Sequence, residues 1–94
     1  MENKKDKSYY ELERIVKGVA NHRRIEILEI LKKKPEMSVA EIAGKVKSNF
    51  KTTSEHIRKM AISGLLMKRS DNKNIRHKLT NRGELILTFL RMLE

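Results

Sequence analysis

The sequence predicts a mainly α fold carrying one small β-hairpin, and three observations predict it. Apolar residues recur at helical spacing in five separate stretches of the 94-residue chain. The third and fourth stretches are separated by only three residues, Lys47, Ser48 and Asn49, which is the spacing of a helix-turn-helix. Between the fourth and the fifth, "LLMKR" and "IRHKLT" flank the polar run "SDNKN". That pattern reads as two short strands around a five-residue turn.

The elements follow in order. "MENKKDK" is charged and aperiodic, so residues 1–7 are expected to form a flexible basic terminus ahead of a single domain over 8–94. A first helix is expected over about 8–20, where Leu12, Ile15, Val16 and Val19 follow the i, i+3, i+4, i+7 rule. Asn21 suits the cap of a second helix over about 22–34, in which Ile27, Leu28 and Leu31 share a face. The lysines at 32–34 complement the negative end of its dipole, and Pro35 stops it. After a short β segment, "SVAE" at 38–41 is a capping box: Ser38 and Glu41 satisfy each other's backbone amides. The helix it opens, about 39–46, places Val39, Ile42, Ala43 and Val46 on one face. Asn49 caps a fourth helix over about 50–63, with Thr53, Ile57, Met60, Ala61 and Gly64 on its inner side. Gly64 suits the left-handed residue that ends a helix. The hairpin spans about 65–79, and Thr80 or Asn81 caps a last helix over about 81–93. The predicted order, α-α-(short β)-α-α-β-β-α, is that of a winged helix-turn-helix.

Composition narrows the function. There is no cysteine, which excludes disulfides, thiolate metal sites and a cysteine nucleophile. The longest apolar-rich run, "LILTFLRML", is far shorter than the ~20 residues a spanning helix needs. No membrane partner and a cytoplasmic location are therefore expected. The chain carries 22 Lys and Arg against 12 Asp and Glu, and the excess is concentrated. Residues 45–78 hold 10 basic and 2 acidic side chains, whereas 1–44 hold 10 and 8 and 79–94 hold 2 and 2. A solubilising charge would spread over the surface; one bunched on the helix-turn-helix and hairpin points to a polyanion, above all nucleic acid.

The last helix is apolar on too many sides for one partner. Ile86, Phe89, Leu90 and Leu93 form a predicted stripe, and Leu85, Leu87 and Met92 spill over its edges. A second subunit would cover the surplus, with the first helix as co-partner. The expected homodimer interface is Tyr9, Leu12, Val16, Leu85, Phe89 and Met92. The alternative is a monomer whose last helix caps its own core.

Four segments, "VANHRRIEILEIL" (19–31), "SVAEIAGKV" (38–46), "TTSEHIRKMAISGLL" (52–66) and "HKLTNRGELIL" (77–87), resemble the ArsR-type winged helix-turn-helix repressors. "LTNRGELI" is equally similar to MarR-type regulators. The resemblance covers about residues 18–87 and implies a DNA-binding transcriptional regulator acting as a homodimer. Three departures matter. "AEIAGKV" lacks the cysteine motif of the arsenic and cadmium sensors, the last helix lacks the Asp and His ligands of the zinc sensors, and Glu55 stands where the family has Arg. No metal or other cofactor is expected, and no small-molecule effector is identified.

The charge count and the resemblance together assign the fourth helix to the major groove of double-stranded DNA. Lys51 can donate to guanine or phosphate, and Thr52, Ser54 and Arg58 share the outward face. Glu55 can only accept, which suits cytosine N4; the bland reading is a solvated residue paired with Lys51 or Lys59 one turn away. Lys45 and Lys47 are expected on phosphates. The hairpin would be the wing, with Arg69, Lys73 and Arg76 reaching the backbone or the minor groove. His56 reads as a packing residue or a phosphate hydrogen-bond partner, His77 as a packing residue, and His22 with Glu26 is too small a set for a metal. No nucleophile–base pair, phosphate loop or H-E-x-x-H occurs, so no enzyme is expected. Two alternatives compete: a sequence-independent DNA-coating protein, and a winged helix used for protein contacts.

Overall fold

A computed structural model describes residues 6–94. Its elements run α1 (Tyr9–Val19), α2 (His22–Lys33), α3 (Val39–Val46), α4 (Phe50–Ile62), β1 (Leu66–Asp71), β2 (Asn74–Leu79) and α5 (Asn81–Arg91). This is the predicted fold class, with the short β segment reduced to one bridge, Met37 opposite His77. Of the terminus expected to be flexible, residues 1–5 lie outside the described residues.

Local chemistry sets the helix starts. Ser8, Asn21, Ser38, Asn49 and Thr80 each accept a hydrogen bond from a backbone amide in the first turn of the helix that follows. The capping box at Ser38 has a twin at Ser8, where Glu11 is the partner. In both, the glutamate carboxylate accepts from the cap's own N–H at 2.9 Å. Those bonds hold the Glu11 and Glu41 carboxyls below their ordinary pKa. At its other end α2 gives way to an extended Lys34, as a residue before proline must.

α2 is the central helix and packs against each of the other four. Its Ile27, Leu28 and Leu31 meet Ile42 and Val46 of α3, Ile57 and Met60 of α4, Leu65, Leu66 and Leu79 around the hairpin, and Leu87 of α5. Burying each such side chain is worth about 1.5–3 kcal/mol, so this one cluster fixes how α3 and α4 sit.

The hairpin is tighter than predicted. The ladder continues through Ser70 opposite Ile75 to Asp71 opposite Asn74, leaving a two-residue turn in place of the expected five. Asn72 makes this possible by adopting a left-handed φ of 53°, which asparagine tolerates well.

The predicted stripe on α5 also needs correction. Leu87 and Gly83 are buried, Ile86 and Leu90 are half-buried, and Phe89 and Leu93 point outward. Gly83 sets this rotation: a Cβ there would stand 2.2 Å from the Leu65 carbonyl oxygen. Only a glycine lets α5 approach that backbone, and the face carrying it must turn inward.

Candidate nucleic-acid interface

α3 and α4 pack on each other across a turn built from three residues. Lys47 ends α3 in the left-handed conformation, φ 54°, with its N–H on the Ala43 carbonyl. Ser48 N–H reaches the same carbonyl at 3.1 Å, and the Asn49 side chain accepts from Thr52 N–H at 2.7 Å. On the inner side of α4, Thr53, Ile57 and Met60 are buried. On the outer side Lys51, Thr52, Glu55, Arg58 and Lys59 are exposed, and Ser54 is half-buried.

Two adjacent arginines at the start of α2 hold this pair of helices in place. Arg23 donates to the Val46 carbonyl at 2.9 Å, satisfying the end of α3, and to Glu26 at 3.2 Å. Arg24 donates through Nε to His56 Nδ1 on α4 at 3.0 Å, and its NH1 reaches the Lys17 carbonyl at the end of α1 at 3.2 Å. The acceptor role leaves the His56 proton on Nε2. Burial, then the neighbouring cations Arg24 and Lys59, hold its pKa below the ordinary histidine value. Reading the sequence missed both arginines. A signal was present: two cations with no acid occupy the first turn of α2, the wrong end of the dipole for positive charge. A locally disfavoured pattern of that kind points to a tertiary role.

Glu55 does not pair with Lys51 or Lys59. Its Oε1 accepts from Arg58 Nε at 3.1 Å, with a closer contact to the second guanidinium nitrogen. The bond to Arg58 holds the Glu55 carboxyl below its ordinary pKa and raises that of Arg58. Three-residue spacing and a planar fork favour this partner over a flexible ammonium one turn away.

The hairpin cations divide similarly. Arg69 is bonded to the Glu36 carboxylate, through Nε at 2.8 Å and through a second nitrogen. Arg76 donates to Asp71 at 3.1 Å and to the Glu36 carbonyl at 3.0 Å. Glu36 itself has φ 67°, and its N–H donates to the His77 carbonyl at 2.9 Å, so this residue ties the α2–α3 loop to the wing. His77 lies beneath, 1% exposed, with Nδ1 2.8 Å from the Met37 carbonyl. A carbonyl only accepts, so Nδ1 carries the proton. Burial lowers the His77 pKa, and the bond to Met37 partly opposes it. Lys45, Lys47, Lys51 and Lys73 are exposed and form no ion pair among the described residues. The predicted cations thus separate into four solvated lysines and three arginines already held by acids of the same chain.

Tyr9, Leu12, Val16, Leu85, Phe89 and Met92 are all exposed, from 47% at Leu12 to 92% at Tyr9. Among the described residues, no cluster of three or more His, Cys, Asp and Glu is placed to hold a metal ion. No helix among them is long and apolar enough to cross a membrane.

Solved structures share this architecture. The homodimeric winged helix-turn-helix DNA-binding domain of a possible ArsR-family transcriptional regulator from Mycobacterium bovis superposes with a TM-score of 0.80 at 22% identity, over 89% of this chain and 78% of that one. NolR from Sinorhizobium fredii gives 0.81 at 27% identity, over 89% and 84%. HlyU from Vibrio cholerae gives 0.79 at 24%, over 94% and 96%. No curated protein matches in sequence. The MarR family matches residues 20–78, from the clamp at the start of α2 to the second strand of the wing, and the chain belongs to that family.

Proposed function

We propose that this protein is a cytoplasmic, homodimeric transcriptional regulator that binds double-stranded DNA with sequence preference and has no catalytic role. The observation that carries this reading is the outward face of α4. It stands open to solvent on a helix braced by Arg24, within the segment that holds nearly all the net positive charge. Lys51, Thr52, Ser54, Glu55 and Arg58 would enter the major groove, whose width admits one helix. Lys45 near the end of α3, Lys47 in the turn and Lys73 at the wing tip would sit on phosphates; forming no ion pair among the described residues, each keeps its ammonium donors available. Arg69 and Arg76 keep guanidinium donors beyond those spent on Glu36 and Asp71, and would present them to the backbone or minor groove.

Phosphate neutralisation would supply most of the affinity, and α4 the preference among sequences. The exposed apolar residues of α1 and α5 would form the two-fold contact, as the Mycobacterium bovis relative is itself homodimeric. Two copies would then read half-sites about 34–36 Å apart.

Selection of bound sequences from a random duplex pool at about 150 mM salt tests this. Enrichment of a two-fold symmetric site is the expected result. Binding with no enrichment would make the protein a general DNA coater; no binding at all would leave the basic face to an acidic protein partner.

A further inference from the structure

α4 begins at Phe50, a residue that is 59% exposed. Other large apolar side chains are exposed on α1, on α5, at the far end of α4 and on the hairpin. Phe50 is different in its surroundings. Asn49, Lys51 and Thr52 beside it in the chain are all exposed polar residues, so the ring opens a hydrophilic stretch of α4.

Two features aim it. Every Cα–Cβ bond of a helix tilts toward the N-terminus, so a side chain on the first residue projects past the helix end. Asn49, the residue ahead of it, is turned back onto the helix, its side-chain oxygen accepting from Thr52 N–H at 2.7 Å. The leading end of α4 therefore presents an exposed phenyl ring one residue ahead of Lys51.

In the groove, that ring can neither donate nor accept a conventional hydrogen bond. Thymine alone offers an apolar group there, its C5 methyl, and phenylalanine is among the side chains that contact it. We infer that Phe50 is a specificity-determining residue that reads a thymine methyl at the edge of each half-site. This rests on the DNA-binding reading above. It adds an apolar contact to a surface whose other members read by charge and hydrogen bond, and it disfavours cytosine, which has no methyl at C5 to meet the ring.

The test takes the duplex recovered by selection and replaces each thymine in turn with deoxyuridine, which differs only in lacking the methyl. Wild-type protein is expected to lose about fourfold in affinity at one position per half-site. Phe50→Ala is expected to bind thymine and uracil duplexes equally, and Phe50→Leu to retain part of the discrimination. Melting curves of both variants establish that they are folded, and the wild-type scan needs no variant at all.

Wild-type indifference to uracil at every position overturns the proposal, as does Phe50→Ala that still prefers thymine. Loss of the preference in Thr52→Ser but not in Phe50→Ala would transfer the methyl contact to Thr52 and overturn it equally. If selection yields no preferred duplex, the regulator reading falls and takes this one with it. If a duplex is selected and uracil is tolerated throughout, this proposal alone fails.

Discussion

Thr53 sits on the inner face of α4 at 0% exposure, and its Oγ1 is buried with no hydrogen-bond partner among the described residues. An unsatisfied buried hydroxyl costs about 1–3 kcal/mol, and removing it without changing shape should recover part of that. Thr53→Val does this. It keeps the β-branch, leaves helix propensity nearly unchanged, and places a methyl where the lone hydroxyl stood, on the buried face that also carries Ile57 and Met60. We expect stabilisation of about 1 kcal/mol or more, seen as a rise in Tm of roughly 4–8 °C for a domain of this size. The comparison is made by circular dichroism at one fixed protein concentration, since dimerisation would make Tm concentration-dependent. Thr53→Ser is the control: it keeps the hydroxyl, loses a buried methyl, and should fall below wild type by about 1 kcal/mol. DNA affinity should be the same in all three proteins, because position 53 faces inward. A Thr53→Val protein less stable than wild type would refute the reasoning, for the hydroxyl must then be satisfied in solution.

Gly83→Ala should destabilise by about 1–3 kcal/mol or more in urea titrations, since its Cβ would meet the Leu65 carbonyl. Gly44→Ala, in an exposed helical site with nothing within 4 Å of the added Cβ, should instead gain about 0.5–1 kcal/mol. Burial lowers the His77 pKa, so the folded state keeps that ring neutral while the unfolded chain takes up a proton below about pH 6.5. Its contribution to stability is therefore complete above that pH and is lost as pH falls toward the lower folded value. The slope is at most about 1.4 kcal/mol per pH unit. Urea midpoints for wild type and His77→Phe between pH 7 and 5 should diverge in slope accordingly. On DNA, Lys51→Ala should reduce the salt dependence of log K by about 0.9 if it removes one phosphate contact. Glu55→Gln should tighten binding to every duplex, because a carboxylate facing the backbone is lost, while weakening preference at one base pair. Fluorescence anisotropy across a salt series reads both.

Much of this molecule was legible because the deciding interactions are local. A cap bonds two or three residues ahead, so Asn21, Ser38, Asn49 and Thr80 could be named from neighbours in the chain. Pro35 and Gly64 act through their own backbone geometry, and the inner face of α4 follows from spacing alone. The same locality explains the concentration of charge over 45–78, which is a property of the chain before it folds.

What failed to show in the sequence depends on distance through space. Arg23 finds the Val46 carbonyl, Arg24 finds His56 and Arg69 finds Glu36, at sequence separations of 23, 32 and 33 residues. No pattern of spacing encodes such pairs. The wing arginines were expected on DNA; folding brings each of them first to a carboxylate of the same chain. α5 shows the same limit for packing. Its apolar residues allow more than one inward face, and the choice fell to Leu87 because only the Gly83 edge can approach the Leu65 backbone. Sequence alone determined which segments become helices, where they start and where the charge lies. Tertiary structure alone decided which cations remain free and which face of each end helix stays open, because both depend on what folding brings within a few ångströms.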